Sequence, residues 1–109
     1  MAQRSNLPGA NHASEIPYVF ASQDTIPVYS KEIVPEDRAL AALMHACWVA
    51  FAKGDSPKCP GQAWPAYSPA KDQLLEFGQS VGVREHFRKT QLDQLERLEL
   101  GRLAKPSAP

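Results

Sequence analysis

The clearest patterning of apolar and polar positions runs through the middle of the chain, where Leu40, Leu43, Met44, Cys47, Trp48 and Phe51 recur at steps of 3, 1, 3, 1 and 3 residues. That spacing places all six on one broad helical face and predicts a helix over 35–53. Pro35 suits the first helical position, and Glu36 and Asp37 set carboxylates against the positive end of the helix dipole. Alanines at 39, 41, 42, 46, 50 and 52 flank the stripe and let neighbours approach closely, so this helix is expected to be covered on more than one side. His45 lies off the stripe, about 100° round from Met44, and reads as a structural or exposed residue.

Fainter patterns flank this one. Ile16, Val19 and Phe20 stand at i, i+3 and i+4, the spacing of a short core-facing helix just after His12. Leu92, Leu95 and Leu98 form a thin stripe that predicts a helix over 90–101, with Thr90 and Asp93 suited to a capped start. Three leucines cannot hold an isolated helix of this length, so it must dock on something. Residues 73–77 admit a short strand or a helix, with at most a few strand residues near 74–77, and 80–87 has no clean period. Residues 21–34 read as a connection with one extended patch at 25–29, interrupted by Pro27. The loop 54–69 carries Trp64 and Tyr67 around Pro65; together with Trp48 they read as core anchors, not as a cage for a sugar or choline. Residues 1–6 and 104–109 are expected to be loose tails.

Composition narrows the field. The 109 residues suffice for one small domain, but ten prolines and six glycines cut the chain into short pieces. Twelve basic residues balance twelve acidic ones, which leaves no electrostatic case for nucleic acid or an anionic membrane as partner. No apolar run approaches the roughly 18 residues of a membrane span. The first residues lack the apolar core of a signal peptide, which says nothing about the parent protein if the chain begins part-way. Cys47 and Cys59, with eleven residues between them, have no metal spacing; Cys47 falls in the helical stripe and reads as a buried small side chain and not as half of a bridge. No cluster of His, Cys, Asp or Glu has ligand spacing and no glycine-rich phosphate loop is present, so neither metal nor cofactor is expected.

The candidate chemistry centres on His12. Pro8, Gly9 and Ala10 read as a turn, which places His12 on a connection backed by the apolar turn at 16–20. An imidazole held that way is mostly neutral near neutral pH and ready to accept a proton; the competing reading is a surface histidine with no duty. Glu15 reads as a buried or hydrogen-bonding support of this loop and not as the direct partner of the ring, while Asp24, Asp37 and Asp55 stand where caps and turns use carboxylates. Gly78-Gln79-Ser80-Val81-Gly82 matches G-x-S-x-G. A nucleophile elbow, however, follows a buried strand of a parallel sheet, and Gln73, Glu76 and Gln79 are too polar for one. Ser80 therefore reads as a turn serine.

Two blocks carry a resemblance. G-A-N-H-A-S-E-I-P-Y-V-F at 9–20 resembles the segment bearing the catalytic histidine in type B carboxylesterases, the α/β-hydrolase family that includes the cholinesterases. W-V-A-F-A-K-G-D-S-P-K-C-P-G-Q-A-W-P-A-Y at 48–67 is similar to that family's F-A-K-T-G-D-P-N and W-P-x-Y stretch, although the threonine after Lys53 is absent and Ser56 intrudes before Pro57. The likeness spans 7–67 and continues more weakly to Phe87. It implies that residues 1–109 are the C-terminal portion of an α/β-hydrolase fold, mainly helical with long loops, little strand and no complete sheet. It also implies a serine-type carboxylic ester hydrolase acting on a small ester, with His12 as the general base. The nucleophilic serine and its acidic partner would come from a missing N-terminal part of the domain, so the chain alone is expected to be inactive and partly molten. The alternative is a small noncatalytic helical protein that binds a partner through exposed apolar stripes.

Overall fold

A computed structural model describes residues 10, 12–27, 33–54 and 56–104. Its longest element is α2, Pro35–Ala52, where the apolar stripe placed it. Proline occupies its first turn, and the Asp37 carboxylate accepts the backbone N–H of Val34 at 3.4 Å, satisfying a donor that the helix start leaves open.

The short helix α1, Ile16–Val19, packs against α2. Tyr18, Ala41 and Met44 make the buried core of this contact, with Val19, Leu40 and Phe77 against them. Ala41 retains only 2% of its exposure, because a methyl side chain lets the backbone of α1 come close. Beyond α1, Gln23–Thr25 is a 3₁₀ turn, closed by Thr25 bonding back to the Ser22 carbonyl. This turn, and not extended chain, opens the patch expected at 25–29; residues 28 and 29 lie outside the described ones, as do 1–6 and 105–109 of the tails.

The reading of Cys47 is corrected here. It is fully buried as expected, but it is joined to Cys59 in a disulfide with Cα atoms 4.2 Å apart. After α2 ends, the chain doubles back, and a tight turn bridges Cys59 to Gln62 through Gly61, whose φ of +72° only glycine adopts without strain. The return lays Cys59 against the helix, a meeting that linear spacing does not reveal. Farther along, Trp64 stacks at a tilt on Trp48 and Phe51, with ring centroids 5.8 and 5.7 Å apart. Trp64 thus anchors the loop as expected, whereas Tyr67, expected to be a core anchor, is 66% exposed among the described residues.

The strand expected near 74–77 forms as β1, Gln73–Glu76, but it pairs with a second strand that the irregular pattern of 80–87 concealed. That strand is β2, Gly82–Glu85, antiparallel to β1 with Leu74 opposite Arg84 and Leu75 opposite Val83. Polar partners reinforce the ladder: Arg84 pairs with Glu76, and the Gln73 amide donates to Glu85 at 2.7 Å.

The last helix, α3, spans Lys89–Leu103, longer at both ends than 90–101. Its cap is Arg88, in the left-handed region at φ 51°, and not Thr90, which already lies inside the first turn. Lys89 to Asp93 and Arg102 to Glu99 are ion pairs along its surface. None of its residues is buried, and Leu92, Leu95, Leu98, Leu100 and Leu103 are all exposed.

The chain is consequently drawn out. Its radius of gyration is 17.9 Å, where a compact chain of this length would have about 13 Å. Its accessible surface is 8729 Å², against roughly 6,000 Å² for a compact monomer of this mass. Among the described residues no helix is long and apolar enough to cross a membrane.

Candidate functional site

His12 opens a turn that runs over 12–15 and leads directly into α1. Ala13 holds φ at +62°, which costs a residue with a Cβ about 1–2 kcal/mol, and its carbonyl accepts the Ile16 N–H at 3.3 Å. A non-glycine residue kept in that region points to a turn whose shape is set by its surroundings. The His12 side chain is exposed, with no hydrogen bond or ion pair to any described residue.

What sets the turn is the seating of α1 on α2. The Tyr18 hydroxyl donates to Asp37 Oδ1 at 2.8 Å, and the carbonyl of Val19 accepts from His45 Nδ1 at 2.8 Å. Partial burial pushes the Asp37 carboxyl up, but hydrogen bonds, among them those from Tyr18 and the Val34 amide, outweigh it and hold the group below its ordinary value. Outside this seam, Arg38 grips Asp24 at 2.6 Å across the exposed surface, and that hydrogen bond lowers the Asp24 carboxyl. Tyr18 is the residue that sequence reasoning passed over, whereas His45, read as structural or exposed, is exposed and holds the backbone of α1. The available signal was Ala41, small and one turn before His45 on the same side of α2.

Glu15 departs from its expected place. It is exposed, its side chain caps nothing, and it serves through its backbone carbonyl, which accepts the N–H groups of Tyr18 and Val19. The position immediately before a helix with proline in its first turn leaves the side chain pointing outward from this short element.

The G-x-S-x-G segment is the turn of the β1–β2 hairpin, so Ser80 sits between antiparallel strands and not between a strand and a helix. At the opposite end of the hairpin His86 Nδ1 lies 3.5 Å from Asp72 Oδ2. Four ladder pairs separate the two ends, a span of about 13 Å, so Ser80 cannot join this histidine and carboxylate in one catalytic set. Asp72 and His86 also line an open cavity of ≈ 380 Å³ with Lys89, Asp93 and Glu96. Among the described residues no group of three or more His, Cys, Asp or Glu side chains is placed to hold a metal ion.

The sequence profile of the carboxylesterase family matches residues 2–95, and the chain belongs to that family, which has the α/β-hydrolase fold. With three helices and one hairpin named among the described residues, and no closed sheet among them, it is consistent with a partial version of that fold. It is similar to the para-nitrobenzyl esterase of Bacillus subtilis (strain 168), with 37% identity over 75 residues, covering 68% of this chain and 15% of the esterase. It is 30% identical over 103 residues to the human bile salt-activated lipase, covering 91% of this chain and 13% of the lipase. Mouse neuroligin-3 shares 28% identity over 101 residues, 76% of this chain and 12% of its own length. The chain thus spans about an eighth of the length of these relatives.

Proposed function

We propose that residues 1–109 are the C-terminal portion of a serine carboxylesterase domain and supply its general base, His12. The observation that carries this reading is the placement of His12: an accessible imidazole on a short turn, delivered by a helix that two hydrogen bonds seat on α2. The family match over the same segment supports it.

The chemistry follows from the two states of imidazole. Neutral His12 takes the proton of a serine hydroxyl from the upstream part of the domain as that oxygen bonds to the ester carbonyl carbon. The resulting imidazolium returns the proton to the departing alcohol oxygen as the ester C–O bond breaks. Water then attacks the acyl-enzyme, His12 again accepting a proton and passing it to the serine as the acid leaves. An upstream carboxylate holds the ring in the orientation that both transfers need. Lysine would stay charged and a lone carboxylate would be a poor acid for the return step. The substrate is a small carboxylic ester, bound by a pocket built mostly upstream.

The test is a chimera in which this chain replaces the matching segment of the para-nitrobenzyl esterase, assayed by kcat/KM for a p-nitrobenzyl ester. His12→Ala should lower it by about 10³ to 10⁴-fold, His86→Ala should leave it within about twofold, and the 109 residues alone should give no turnover above background. Activity that survives His12→Ala, or ester turnover by the isolated chain, overturns the reading. The exposed leucines of α3 favour a second one, a noncatalytic helical protein that docks on a partner; it requires the chimera to be inactive while the isolated chain is cooperative and monomeric.

A further inference from the structure

A four-residue helix has no carbonyl that is safely inside it, so each must find a partner beyond the helix or in its last turn. The carbonyls of Ile16, Pro17 and Tyr18 in α1 accept the N–H groups of Phe20, Ser22 and Ala21 at 3.0, 2.9 and 3.2 Å. The Val19 carbonyl receives no backbone N–H among the described residues. Its partner is the His45 ring, 26 positions along the chain, at 2.8 Å. A carbonyl oxygen can only accept, so the proton in this contact resides on Nδ1 of His45.

The contact is a point at which a polar side chain of α2 holds α1. Another is the Tyr18 hydroxyl on Asp37, and the eight-residue step along α2 from Asp37 to His45 puts the two points about 12 Å apart. Held at one point, a single turn of helix pivots; held at two, its axis is set. The turn 12–15 is continuous with the start of α1, so its direction follows that axis.

We propose that His45 is a positioning residue for His12: by fixing the last carbonyl of α1, its imidazole sets the direction from which the base meets the upstream serine. This rests on the reading of His12 as the general base. The contact is at the last residue of α1, whereas His12 precedes its first, so His45 acts on the base through the helix between them. Its loss should misplace the base by a fraction of an ångström to an ångström, which slows proton transfer without weakening the binding of the ester.

The para-nitrobenzyl esterase chimera tests this through separate kcat and KM values. His45→Ala and His45→Phe should each lower kcat by about 10 to 10²-fold with KM changed by no more than about twofold. His45→Asn, whose side-chain N–H can stand where Nδ1–H stood, should recover most of the loss. If both variants lacking the donor keep kcat within about twofold, or if Asn is no better than Ala, the positioning role is wrong. Should His12→Ala leave activity intact in the same chimera, it is the reading of the base that fails. A second measurement uses the same chimera: nitrogen-resolved spectra of the neutral imidazole should show the proton of His45 on Nδ1, with a coupling to the Val19 carbonyl, and a ring protonated on Nε2 alone overturns the proposal.

Discussion

Two halves of this chain are built from similar material and end differently. Helices α2 and α3 both carry apolar residues at helical spacing, yet α2 buries Ala41, Met44 and Cys47 while α3 buries nothing. The difference lies in what each helix meets within the chain. Around α2 the short helix α1, the returning loop at 57–64 and the side chain of Phe77 supply covering atoms. Around α3 the described residues bury none of its side chains, and its leucines remain 54–71% exposed. Periodicity states which face of a helix is apolar; whether that face is dry depends on partners that periodicity does not name.

The contrast can be broken most sharply at the disulfide. Replacing Cys47 and Cys59 together by alanine should cost the α1–α2 unit about 3 kcal/mol, the value for closing a loop of this length, and leave the helicity of α3 unchanged. Urea titrations followed separately by tryptophan fluorescence and by helical circular dichroism would show it. Met44→Ala should come next, at about 2–3 kcal/mol on the fluorescence transition, because its side chain fills the seam between α1 and α2.

Tyr18→Phe should cost about 1 kcal/mol, the ordinary worth of one hydrogen bond, and its pH dependence is informative. The Asp37 carboxyl lies below its ordinary value of 3.8 in the folded chain, so the unfolded chain binds its proton more readily. The associated stability is present above that ordinary value and is lost as pH falls through the lower, folded one. Acid titration of the urea midpoint should therefore be flatter below the ordinary carboxylate range in Tyr18→Phe than in the parent chain. The smallest effect is expected at Leu95→Glu, below about 0.5 kcal/mol in the isolated chain because no contact is removed. The same change should weaken assembly with the upstream part of the domain if that part covers α3, as a comparison of chimera melting points would reveal.

Much of this difference was legible beforehand. The stripe from Leu40 to Phe51 located α2 to within a residue at its end, and Leu92, Leu95 and Leu98 located α3. What stayed hidden depends on the chain returning to itself. Cys59 reaches Cys47 only because the loop after α2 reverses, and β2 has Gly82 and Arg84 where alternation would ask for a cleaner pattern, its pairing secured by Arg84 with Glu76. Arg88 caps α3 by a left-handed backbone that no residue preference announces. At the candidate site, the words around His12 led to the expectation of a histidine on a connection, and it stands exposed in the turn before α1. The seating of its helix was not legible, since Tyr18 and Asp37 are 19 residues apart and Val19 and His45 are 26 apart.

The hairpin has one more consequence. Among the described residues each of its strands pairs on one side only, so it presents two open edges whose unpaired N–H and C=O groups would accept another strand. Glu76, Arg84 and Glu85 lie along those edges and, while ionised, make a second copy a poor fit. Charge at these three positions thus acts as a guard against stacking into fibres, because a second strand laid on either edge would bring like charges together and strip them of water.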